Sequence, residues 1–192
     1  LVDRYGGSMA SGWTKWMLEQ FEYPFEVVYP HALDAGGLNS RFDALVFAAD
    51  MIPQNLAAAA QRGQPEADAI PAEYRLWLGY ITTEKTLPQI EAFVRGGGSV
   101  VTLGSAHRLA TALGAPVTDV LATGEGTERR PLPSTQFFIP GAILKTETDP
   151  TQPLAFGLTP VLDVFFNRNA GFRPVDGAAS IARYPATMSV SS

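Results

Sequence analysis

Two stretches of this sequence hold residues in an order that suits chemistry. The first is Val100-Val101-Thr102-Leu103-Gly104-Ser105-Ala106-His107, an apolar strand-like run leading into a glycine, a serine and a helical segment. A strand that turns sharply into a helix is the setting of a nucleophile elbow, with the serine hydroxyl exposed at the end of the sheet. The helix N-terminus favours an oxyanion or another anion at that place. Ser105 is the candidate nucleophile and His107 the candidate base. The G-x-S-x-G pattern is incomplete, because Leu103 and His107 stand where the glycines belong. On a regular helix residues two apart project to different sides. His107 therefore serves only where the backbone is irregular; otherwise a carboxylate such as Asp50 or Glu84 has to help. The plainer reading of the same residues makes Ser105 a helix cap.

The second stretch is Asp3-Arg4-Tyr5-Gly6-Gly7-Ser8, directly after Leu1-Val2. Ligands of open α/β sheets gather at the carboxyl ends of the strands. Backbone amides of Gly6, Gly7 and Ser8, with the charge of Arg4, suit an anion there. The spacing is neither G-x-G-x-x-G nor a Walker loop. The plainer reading is a tight glycine turn that lets the following helix pack closely. His31-Ala32-Leu33-Asp34 echoes a zinc-ligand spacing, but the chain has only two histidines and no cysteine. A self-contained metal site is not expected, and thiolate chemistry and disulfides are excluded.

The elements that must position these residues follow from periodicity. Leu1-Val2 reads as the tail of a strand already in progress, so the chain is expected to be a fragment of a longer polypeptide. Trp13, Trp16, Met17 and Phe21 recur at helical spacing, which predicts an amphipathic helix from Ser8 to Phe21 with Ser8 or Ser11 as its cap. Trp13, Trp16 and Trp77 are expected in the core or at an interface. Phe25 to Tyr29 predicts a strand ended by Pro30. Ala44 to Ala48 is an apolar run typical of a strand buried on both faces. Residues 49–72, with the alanine run Ala57 to Ala60 and then Gly63, Pro65 and Pro71, read as a long mobile loop with room for a short helix. Glu73 to Gly79 predicts a short helix. Thr83 to Arg95 predicts a longer one, with Leu87, Ile90, Phe93 and Val94 on one face and Pro88 in its first turn. Gly96-Gly97-Gly98 stops it, Ser99 to Leu103 is a further buried strand, and Ser105 to Leu113 a further helix.

Alternation of this kind argues for an α/β fold, a three-layer sandwich with a mainly parallel central sheet. The second half is β-rich. Phe137 to Thr146 reads as two strand pieces around a bend, Leu162 to Phe166 as a strand and Ala179 to Tyr184 as a last strand. These predict antiparallel additions to the sheet. The expected organisation is one domain over 1–192, with an alternating core at 1–116 and a β-rich extension at 117–192.

Composition narrows the partners. The 192 residues carry 14 Lys and Arg against 19 Asp and Glu, a net charge of −5, which argues against nucleic acid and anionic membranes as partners. Hydrophobic residues at 46% against 17% charged indicate a globular chain. No apolar run reaches the roughly 20 residues of a membrane span.

The strand Ala44 to Ala48, the helix Thr83 to Arg95 and the run Gly96 to Gly104 resemble the core of class I glutamine amidotransferase-like (flavodoxin-like) domains. That superfamily carries a cysteine at the elbow. Gly104, Ser105 and Ala106 stand here instead, so the resemblance does not extend to amidotransferase chemistry. A second resemblance covers more of the chain. Asp3 to Met9, Gly12-Trp13-Thr14, Leu18 to Phe21, Ile70 to Arg75, Glu84 to Gln89 and Pro153 to Leu158 are similar to a segment that follows the peptidase domain in bacterial zinc-carboxypeptidase-like proteins. That resemblance implies a carboxyl-terminal, amidotransferase-like domain of a secreted or periplasmic protein. Zinc would lie in the parent peptidase domain, for this chain has no H-x-x-E and carries over no ligand. The expected function is a non-catalytic accessory domain, packing on or modulating the amino-terminal peptidase domain of the same chain, or mediating self-association as a homo-oligomer. Two alternatives stay open: a serine-dependent hydrolase at Ser105, and a small anionic-ligand module at Arg4, Gly6, Gly7 and Ser8.

Overall fold

Val2 has no exposed surface and forms single parallel bridges to Val28 on one side and to Phe47 on the other. Its amide donates to the Val46 carbonyl at 2.9 Å, and the Asp3 amide donates to Val28 at 2.8 Å. The computed structural model describes residues 1–53, 56, 63–124, 130–167 and 169–186. The chain divides into two compact units, Leu1–Gly114 and Ala115–Ser192. The alanine run Ala57 to Ala60 of the 49–72 segment lies outside the described residues.

In the first unit, β1 (Ala44–Phe47) and β2 (Ser99–Thr102) pair in parallel, from Ala44 beside Ser99 to Phe47 beside Thr102. The helices are α1 (Met9–Gln20), α2 (Pro30–Asp34), α3 (Thr86–Arg95) and α4 (His107–Ala112), with 3-10 turns at Leu38–Ser40, Ala67–Ala69, Ala72–Trp77 and Gly104–Ala106. Burial concentrates on Leu33, Leu45, Phe47, Ile90, Phe93 and Leu109, which alternate along β1 and recur at helical spacing on α3. Val94 faces solvent, so the apolar face of α3 is narrower than its sequence suggests. Gly96 caps α3, and the amides of Gly96 and Gly98 close on the carbonyls of Ala92 and Phe93.

The expected three-layer sandwich with a mainly parallel central sheet is not what forms. Among the described residues each sheet has two or three strands, and β1–β2 is the one parallel strand pair. Two physical causes are visible. Phe25 to Tyr29 is bounded by Pro24 and Pro30, which carry no amide donor, and Pro30 instead opens α2. Phe25 to Tyr29 thus forms no strand and meets Leu1-Val2 through the bridge at Val28 and the Glu26 carbonyl. β2 ends its sheet, and its residues are alternately exposed and half-buried rather than buried on both faces.

The second unit carries its own sheets. β3 (Val117–Asp119) pairs with β8 (Phe172–Pro174), β4 (Ala122–Thr123) with β5 (Arg130–Pro131), and β6 (Ala142–Thr148) lies between β7 (Val161–Phe166) and β9 (Ala182–Arg183), all antiparallel. None of these strands is hydrogen-bonded to β1 or β2, so they do not extend that sheet. The bend at Pro140-Gly141 precedes a single strand instead of dividing two. Leu144, Thr146, Ala155 and Phe166 are buried, and the rings of Phe137 and Tyr184 meet Phe166 edge-on.

α1 departs furthest from expectation. Ser8 caps it by accepting from the Ser11 amide at 3.0 Å. On the side that faces inward Ser11 and Thr14 are buried, and Ala10 and Leu18 beside them are half-buried. Thr14 satisfies its hydroxyl on the Ala10 carbonyl at 2.8 Å. Trp13 and Trp16, expected in the core or at an interface, are exposed and do not enter the core. Trp77 is stacked on Tyr29, at 4.9 Å between ring centroids.

Two outcomes follow from this packing. A Cβ at Gly98 would overlap the Phe93 ring, itself 1% exposed. Gly98→Ala is therefore expected to lower unfolding stability by about 1–3 kcal/mol, read from a urea midpoint. In the second unit the Asp149 carboxylate accepts from the Thr151 hydroxyl at 2.6 Å, the Thr151 amide at 3.0 Å and the Gln152 side chain at 3.3 Å. These bonds, the Thr151 hydroxyl foremost, hold its carboxyl below the usual aspartate range. A depressed folded value stabilises the turn above the unfolded value, and that contribution is lost as pH falls through the folded one. Thr151→Val is expected to move the Asp149 titration upward, as followed by carboxyl NMR.

Candidate functional site

The carboxyl ends of Leu1-Val2, β1 and β2 carry Ser8, Asp50 and Ser105. The chain leaves β1 through Ala48 and Ala49 and turns at Asp50, whose φ of 67° is left-handed. Aspartate tolerates that region better than most residues, because its short side chain bonds locally. Here the bond is to Ser105. The Asp50 amide donates to Ser105 Oγ at 2.8 Å, and Ser105 Oγ donates to Asp50 Oδ1 at 3.1 Å. Ser8 Oγ, already the acceptor for the α1 cap, donates to the Ala49 carbonyl at 3.4 Å. Three segments are thus tied at one end of the parallel pair.

Ser105 sits in the 3-10 turn Gly104–Ala106, not in the first turn of a regular helix. Neither that turn nor α4 has a side-chain cap, so the capping role expected of Ser105 is not the one it performs. Its hydroxyl reaches across to the loop after β1. His107 Nδ1 lies 3.0 Å from the Gly104 carbonyl, which it meets as a donor in the tautomer protonated there. Arg108 Nη1 donates to the Ser105 carbonyl at 3.2 Å. Of the two carboxylates named as helpers, Asp50 is the one brought to Ser105. Glu84 accepts from the Thr83 hydroxyl at 2.7 Å, a bond that holds the fully exposed Glu84 carboxyl below its usual range.

No protein-family model matches this sequence, and no curated protein or solved structure is significantly similar to it. The site therefore has to be read from its own geometry.

At the amino-terminal turn, Gly6 and Gly7 have φ of 82° and 63°, which explains the glycine pair. The turn closes on itself. The Gly7 amide donates to the Arg4 carbonyl at 2.8 Å, and Arg4 Nε donates to the Gly7 carbonyl at 3.3 Å. The Arg4 amide is taken by Asp3 Oδ1 at 2.9 Å. One amide of the expected anion cradle is spent inside the turn, and the Arg4 guanidinium is engaged by the turn's own Gly7 carbonyl. Among the described residues no group of three or more His, Cys, Asp or Glu side chains is placed to hold a metal ion. Among the same residues no helix is long and apolar enough to cross a membrane.

Sequence reasoning named Asp50 only as a possible helper and missed the tie between Ser8 and Ala49. The available signal was an aspartate directly after a buried strand, where a left-handed turn is needed. The Asp50–Ser105 clasp makes a specific stability comparison. Asp50→Gly and Asp50→Ala both remove the carboxylate, but only alanine keeps a side chain in left-handed backbone. The glycine variant is expected to be the more stable by about 1 kcal/mol, read from paired denaturant curves.

Proposed function

We propose that this chain is a non-catalytic accessory domain that works by contact with other protein surfaces. Following the resemblance of its segments, the proposed partner is the amino-terminal peptidase domain of a secreted or periplasmic zinc-carboxypeptidase-like protein, with zinc held in that domain. The supporting observation is the state of Ser105. Its hydroxyl accepts a hydrogen bond from the Asp50 amide and donates one to the Asp50 carboxylate. In a serine–histidine nucleophile the hydroxyl donates to an imidazole that takes its proton. The neighbouring histidine is turned to the Gly104 carbonyl instead. A reciprocal clasp of this kind holds two loops together.

The hydrolase reading keeps one observation in its favour, the 3.1 Å bond between Ser105 Oγ and Asp50 Oδ1, in which a carboxylate stands where a base would. A fluorophosphonate probe separates the two readings. Intact-mass analysis is expected to find no adduct on the wild-type chain. An adduct that disappears in Ser105→Ala overturns the accessory reading in favour of the hydrolase. Sequencing the coding DNA upstream of Leu1 tests the proposed partner. An open frame with an H-x-x-E pair and a distant histidine supports it, and a start codon immediately before Leu1 removes it.

A further inference from the structure

The helix α1 leaves most of its large apolar side chains exposed. Its inward side holds Ser11 and Thr14, while Met9, Trp13, Trp16 and Met17 are 82%, 63%, 52% and 46% exposed. Phe21, at its carboxyl cap, is 72% exposed. Large apolar side chains left in water along one helix mark an interaction face rather than scattered surface residues. Three features say what covers it.

Area is the first. With aromatic side chains burying about 150–250 Å² each, and the two methionines added, the exposed part of this face is on the order of 600 Å² per copy. Two such faces together come to about 1,200 Å², the lower end of specific protein–protein interfaces. The second is pattern. Met9, Trp13, Trp16 and Gln20 follow spacings of four, three and four. That series reads the same in both directions, so it matches a second copy of itself running antiparallel, with Trp13 against Trp16 of the other copy. Residues spaced by four and three form the seam of paired helices. Gly12 lies beside this seam, and a Cβ there would meet nothing within 4 Å, so two helix backbones can approach closely. The third is charge. The seam contains no ionised group, and the α1 charges Lys15 and Glu19 pair with each other at 3.9 Å, off the seam. An uncharged face selects an uncharged one, and its own copy is such a face.

We infer that α1 is a self-association surface, through which two copies of this chain pair antiparallel helices about a two-fold axis. This deepens the contact-domain reading and rests on that reading for its purpose. The isologous symmetry is the commonest among soluble homo-oligomers.

Sedimentation velocity of the full chain over a concentration series tests it. The wild type is expected to shift reversibly from monomer to dimer. Trp13→Glu with Trp16→Glu is expected to weaken the dimer at least about 30-fold, as buried tryptophan anchors do. Both positions are exposed, so the far-UV circular dichroism of the variant is expected to match the wild type. A Trp77→Phe chain, reporting only Trp13 and Trp16, is expected to show a blue shift in emission over the same concentrations. A wild type that stays monomeric throughout, or a dimer that persists in the double variant, overturns the inference. Neither result touches the fluorophosphonate test, so the two proposals fail separately.

Discussion

The first unit depends on the complete burial of Val2. Its neighbours' backbones close on both sides of it, to Val28 and to the strand that ends at Phe47. A buried backbone segment must satisfy every amide and carbonyl, and Leu1 and Val2 do so by bridging two other segments. The Val28 amide donates to the Leu1 carbonyl at 2.9 Å, and the Leu1 backbone nitrogen donates to the Glu26 carbonyl at 2.8 Å. Once these strands are aligned, the turns that leave their carboxyl ends are brought together. The Ser8, Asp50 and Ser105 ties follow from that alignment.

The same alignment explains why an elbow-like sequence yields a clasp. Left-handed backbone at Asp50 presents its amide and its carboxylate to the Ser105 hydroxyl at once. An isolated serine there would keep its lone pairs in water. Paired, it offers its oxygen to one donor and its proton to one acceptor, and two loops are joined across a sequence separation of 55 residues.

The second unit and α1 share a feature that isolated folding does not explain, which is apolar surface facing water. Phe138, Leu154, Phe156 and Phe165 are exposed in the second unit, as the tryptophans are on α1. In the second unit the strands are short, and the largest buried ring is Phe166. A contact domain is the reading in which such surface has a use.

Local features were legible in the residues. The Ser8 cap and the glycine stop after Arg95 rest on interactions within a few residues, which sequence encodes directly, and the runs Ala44 to Ala48 and Leu162 to Phe166 marked strands by their residue types. Periodicity also identified α1 and α3, because helical spacing is a property of the chain alone. It did not say which side of α1 faces inward. Tryptophan at helical spacing marks an apolar side, but whether protein or solvent lies beyond it depends on the surroundings, and here Ser11 and Thr14 fill the inward positions. Strand partnership was equally hidden. An apolar run such as Ser99 to Leu103 reads alike at a sheet centre and at an edge, since the difference is the presence of a neighbour. The Asp50–Ser105 clasp was likewise set by the tertiary structure, because hydrogen bonds between distant loops arise only after the strands beneath them are aligned.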